Sequence, residues 1–200
     1  MSSPARTPET APDRLRRRGQ WLAGMTIAWT LAVAVVAIAA GIKASSIALI
    51  GLGLESAIEL LAAAIVIWQL RGGQEHEPRA VLVIGVTFLA GALYLSTESI
   101  HELARQGHSG HSAAGLAIAA AALVVMSLLA VGKRRTGKVL GSRVLVADAA
   151  ETALAAAAAA AALAGVGLDT WLGWWWTVPA AGLAIAAIAV TEVIEIWTHH

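Results

Sequence analysis

Two glutamates four residues apart, Glu55 and Glu59, lie inside the apolar run SIALIGLGLESAIELLAAAIVIWQL, and two further acids, Asp148 and Glu151, lie three apart inside another. A carboxylate at the centre of a bilayer costs about 2.5 to 3.5 kcal/mol even on a lenient insertion scale, so each of these needs a chemical reason. On a helix, spacings of four and three put both members of a pair on one face. Carboxylates gathered in a low dielectric repel one another and favour neutralisation by a proton or a cation. Such a site can exchange charge: a divalent metal enters, protons leave, and the net charge changes little. The structural alternative is that protonated acids hydrogen-bond across helices and only hold a bundle together.

The elements that must position these acids are membrane spans. Of 200 residues, 58% are apolar, mean hydropathy is +0.72, and the apolar residues fall in blocks of about 20, the length that crosses a bilayer. The blocks predict six helices, over 21–42, 46–70, 80–103, 113–131, 143–167 and 178–197. The fold class expected is therefore an all-α membrane protein of six transmembrane helices, with a polar, disordered tail over 1–19 and one transport domain over 20–200. The first block is too long for the core of a signal peptide and has no convincing cleavage site after it, so it reads as a retained span.

Orientation follows from the cations. Twelve of the 14 Lys and Arg residues fall in the amino-terminal tail, the second-to-third loop and the fourth-to-fifth loop region, the last holding Lys133, Arg134, Arg135, Lys138 and Arg143. Only Lys43 and Arg105 lie on the other side, which puts both termini in the cytoplasm. Seven of eight tryptophans sit at span ends, as interfacial anchors do. A net charge of +1 gives no argument for nucleic acid, and the absence of cysteine excludes disulfides and thiolate metal sites.

The second and fifth spans align at an offset of 96: Ser46, Leu49, Glu55 and Ala57 match Ser142, Leu145, Glu151 and Ala153. Three crossings separate the copies, so they run in opposite directions, as in a 3+3 inverted repeat with its ion site near the midplane. Resemblance by alanine-rich composition alone is the other reading. Glu55 and Glu151 then lie at a similar depth, roughly 13 to 15 Å from opposite surfaces. Gly51, Gly53, Ser56, Ala57 and the run 155–162 are small enough to let helices approach closely.

The stretches SIALIGLGLESAIELL and GKVLGSRVLVADAAETAL, with GLDTWLGWWWTVPAAGLAIA, resemble the cation diffusion facilitators, six-span proton-coupled exporters of zinc and related divalent metals. The resemblance covers most of residues 40–197 and is closest to short members without the carboxy-terminal cytoplasmic domain. It implies a homodimer whose assembly rests on the membrane domain. It also implies one metal site from paired ligands on the second and fifth helices, which carries over onto Glu55, Glu59 and Glu151. The fourth position falls on Ala155, which has no ligating atom, and Asp148 is the acid placed to substitute. The implied metal ligands are thus Glu55, Glu59, Asp148 and Glu151. An all-oxygen set moves the expected cargo from zinc alone toward manganese, iron or cobalt as well.

Other polar clusters read as solvated. These are Glu98, His101 and Glu102 at the outer end of the third span, His108 and His111 in the next loop, Glu75, His76 and Glu77 in the second-to-third loop, and Glu192 and Glu195 near the end of the last span. No nucleophile and base share a depth in the membrane, so no enzyme is expected. The function implied is export of divalent transition metal from the cytoplasm across the plasma membrane against protons. The alternative is a non-transporting membrane scaffold that keeps the fold around an incomplete site. No bound cofactor is expected beyond the transported ion.

Overall fold

The computed structural model describes residues 11–44, 47–72, 74–105 and 113–198, with the side chains of 37, 40–44, 47–55, 57, 74, 113–115 and 196 outside that description. Six helices follow one another: α1 (Ala11–Ala44), α2 (Ile47–Gly72), α3 (Glu77–Arg105), α4 (Ala113–Leu140), α5 (Arg143–Leu172) and α6 (Thr177–Thr198), with one 3-10 turn, Gln74–His76, before α3. Among the described residues, α1, α3, α4, α5 and α6 are each long and apolar enough to cross a membrane, and α2 has 26 residues. The all-helical, multi-pass architecture expected from the hydropathy blocks is the one observed.

Three helices run beyond their apolar blocks. α1 starts at Ala11, inside the segment expected to be tail, with Asp13 in its first turn complementing the exposed N–H groups. Gly19 is buried, close under Leu70 and Leu145, so packing continues into the arginine-rich stretch. α4 runs to Leu140 rather than ending near residue 131, and α5 to Leu172. Lys133, Arg134, Arg135 and Lys138 therefore belong to a helix and not to a loop. Helices outlast the hydrocarbon thickness because backbone hydrogen bonding does not end where hydropathy does.

The α4–α5 connection is short and closely specified. Gly141 takes φ 69°, the left-handed conformation that glycine adopts without steric cost. Ser142 then caps α5, its Oγ accepting from the Leu145 N–H at 3.2 Å. A Cβ on Gly137 would stand 2.9 Å from Val146 Cγ2 and 3.1 Å from the Val146 backbone nitrogen, so α4 and α5 touch nearly backbone to backbone there. At the far end Gly173, also at φ 69°, closes α5 with its N–H on the Asp169 carbonyl at 2.9 Å.

The packing follows the three-helix shift seen in the alignment. α1 pairs with α2 as α4 pairs with α5, α2 meets α3 as α5 meets α6, and α1–α4, α2–α5 and α3–α6 contacts join the halves. One core gathers Val66, Val81, Ile84, Val144, Leu145 and Val193, and a second gathers Met126, Leu129 and Ala156. The outer surface carries Leu31, Val35, Leu61, Leu93, Leu128 and Val139, all exposed, which is the surface a lipid-facing bundle presents. Trp171, Trp174 and Trp176 are exposed beside one another, with Trp174 and Trp176 stacked at 6.0 Å.

Replacing Gly137 with valine is expected to push α4 off α5 and to cost about 1 to 3 kcal/mol, the usual scale of overpacking. Thermal denaturation of the purified variant in detergent measures it.

Candidate metal centre

α1, α2, α4 and α5 bring polar groups to one place in the bundle. On α2, Glu59 is half-buried and its Oε2 accepts a hydrogen bond from Thr30 Oγ1 of α1 at 3.0 Å, Thr30 itself being buried. On α5, Asp148 is buried, and Glu151 carries an Oε2 that meets no hydrogen-bond partner among the described residues. Glu59 and Glu151 line the same small cavity, of about 70 Å³, together with Thr87 and Ala155. Asp148 is outside that lining. The side chain of Glu55 lies outside the described residues, as do His108 and His111.

Lys133 of α4 is the group that sequence reasoning misplaced. Counted among the loop cations, it is wholly buried, with its Nζ 2.7 Å from Asp148 Oδ2 and 2.9 Å from Thr152 Oγ1. Thr152 in turn donates to the Asp148 carbonyl one turn back, at 2.8 Å. The signal was present in the spacing: Met126, Leu129, Ala130, Lys133, Thr136 and Gly137 recur at threes and fours and are all buried, whereas Arg134, Arg135 and Lys138 point away. A lysine on the apolar stripe of a helix marks a buried charge that requires a partner.

Glu59 also faces a larger cavity, of about 350 Å³, bounded by Trp29, Met126, Ala155, Ala158 and Pro179. Glu98 and Glu102 line it too. Two of the three residues read as a solvated helix end therefore stand along the approach to Glu59, while His101 is exposed and outside that lining. Ala155, the position without a ligating atom, lines both cavities.

At the opposite end, near the α4–α5 turn, a third cavity of about 670 Å³ is lined by Arg134, Lys138, Arg143, Glu192 and Glu195. Neither Glu59, Asp148 nor Glu151 reaches it, and Leu154 stands between it and the small cavity. Glu77 ties this end together, its Oε1 accepting from the Arg143 N–H at 2.7 Å across 66 residues. His76 sits on the Gly72 carbonyl at 2.9 Å and edge-on to Trp68. The acidic loop thus serves as a helix-end contact.

Among the described residues, no three His, Asp or Glu side chains are close enough to hold one metal ion. The carboxylates stand apart, with Lys133 among them. For these acids to share one cation, the helices that carry them must come together around it.

The model of the cation efflux transmembrane domain matches residues 25–197. The chain belongs to the cation efflux family. It is similar to transmembrane protein 163 of Xenopus laevis, 26% identical over 153 residues, which cover 74% of this chain and 54% of that protein. The chain thus spans about half the length of the relative it matches. Family membership makes this a membrane-embedded domain of a metal-cation transporter family, and gives the acids on α2 and α5 a common context.

Asp148→Asn removes the one carboxylate paired with a buried ammonium among the described residues and is expected to cost about 3 to 5 kcal/mol. Adding Lys133→Met is expected to recover most of that loss, because the stranded charge goes with it. Melting temperatures of the single and double variants in detergent check both statements.

Proposed function

We propose that this protein exchanges divalent transition-metal cations, of the zinc, manganese, iron and cobalt class, for protons and moves the metal out of the cytoplasm. Glu55, Glu59 and Glu151 are the ligands in this reading, and Asp148 is a ligand or proton carrier. The observation that carries it is the position of Glu59, which fronts the large cavity on one side and shares the small cavity with Glu151 on the other.

The distribution of lysine and arginine supports cytoplasmic termini, even with Lys133 removed from the count, and the membrane in this reading is the plasma membrane. With that orientation, the cavity lined by Glu59, Glu98 and Glu102 faces the outside, and the third cavity faces the cytoplasm with Leu154 between it and the small cavity. This supports reading the structure as an outward-facing state. Loading from the cytoplasm requires α5 to part from α3 at that end, rocking about the acids near mid-membrane. The protein acts as a homodimer assembled through its membrane domain, and as a transporter carries out no enzymatic chemistry.

The mechanism follows from charge. A cation entering from the cytoplasm displaces protons from the carboxylates, which draw together around it; opening to the outside hydrates and releases it, and protons re-enter from that side. Reconstituted protein with a metal-sensitive dye inside the vesicles tests the transport, and a pH dye tests the coupling. Wild type is expected to show metal flux with opposite proton flux. Wild-type flux in the double variant Glu55→Ala, Glu59→Ala sinks the assignment.

Ala155 at the fourth position favours one other reading, a membrane scaffold with a lapsed site. Calorimetry separates the two: the scaffold shows neither binding of micromolar metal nor release of protons, whereas the exchanger shows both.

A further inference from the structure

Among the described residues Lys133 is the only lysine or arginine that is buried. The exchange chemistry as stated does not use it. Its two partners both lie on α5: the Asp148 carboxylate, and the hydroxyl of Thr152, the residue after Glu151. The ammonium therefore occupies a carboxylate oxygen of Asp148, one of the acids named in the exchange reading.

Charge defines what it does there. The ammonium already neutralises Asp148, so a divalent cation that takes this carboxylate must displace the lysine head from it. The lysine stem is flexible and its head has three donors, so it can leave one acceptor while Thr152 retains it. A divalent ion outbids an ammonium for a carboxylate by its double charge, whereas a monovalent ion holds no such advantage.

We propose that Lys133 is a tethered competitor for the transported cation: it holds Asp148 while the site is without metal and yields that carboxylate when a divalent ion binds. Its charge stays constant; its partner changes. The competition lowers affinity to a level from which the ion can leave, which transport requires as much as it requires binding. This inference rests on the exchange reading above and concerns the affinity of that same site.

Titration calorimetry on the full chain in detergent, with manganese or zinc chloride, tests it. Lys133→Gln keeps a polar end group for Asp148 and Thr152 without the charge, and is expected to bind divalent metal about tenfold more tightly than wild type, or better. Lys133→Arg retains the charge and is expected to bind about as weakly as wild type. A merely structural lysine would give the opposite result, since a loosened bundle binds less. Unchanged or weaker binding by Lys133→Gln overturns the proposal.

Should Lys133→Gln be too unstable to titrate, Lys133→Met is read by the rise in melting temperature on adding metal. A rise larger than that of wild type supports competition, and an equal or smaller one overturns it. Metal binding by wild type that the variants leave unaltered removes only the role of Lys133. Absence of binding in wild type and variants alike removes the exchange reading, and this inference with it.

Discussion

An ammonium and a carboxylate can be carried inside a membrane only together, because either alone would forfeit its hydration with nothing in return. Lys133 and Asp148, 2.7 Å apart and both buried, meet that condition. Much of the local architecture serves their approach. The tight turn at Gly141 and the Ser142 cap set α4 and α5 antiparallel in a defined register, and Gly137 lets the two backbones close up. Thr152 holds the ammonium from the same helix that supplies Asp148. Moving α5 by a turn would separate the charges, so the pair fixes the relative position of the two helices and thereby the position of Glu151.

The same constraint shapes the space around the acids. α5 between residues 155 and 162 is all alanine, and such a helix can approach others without filling what lies between. Ala155, Ala158, Ala159 and Ala162 line the larger cavity, and the wall they make is smooth and apolar. Glu59, Glu98 and Glu102 line the same cavity. At the other end Val144, Leu145 and Val81 are buried beside the third cavity, and the Glu77 carboxylate accepts from the Arg143 N–H. A cavity lined by small residues closes by helix movement and not by side-chain rotation.

Carboxylates that stand apart are consistent with such movement. A preformed cage of acids with no ion inside would maximise repulsion at the depth where repulsion is least screened. Separation lowers that cost, as do the Thr30 hydroxyl on Glu59 and the Lys133 ammonium on Asp148. Only the unpartnered Glu151 oxygen is left without relief among the described residues. The site is therefore prepared for charge without being closed around it.

Much of this was legible in the residues. Blocks of about 20 apolar positions dictate spanning helices, because a chain in hydrocarbon must satisfy its own backbone. Acids inside such blocks must meet polar partners, and the offset of 96 between two acid-bearing segments indicates which helices meet. Hydropathy could not place the helix ends, since α1 and α4 continue through arginines and lysines that remain helical beyond the apolar region. Lys133 differs from its neighbours Arg134 and Arg135 in direction, a rotation of about 100° per residue about the helix axis, and its place on the apolar stripe carried that signal. Only the packing of α4 on α5 decided that this inward cation would meet Asp148.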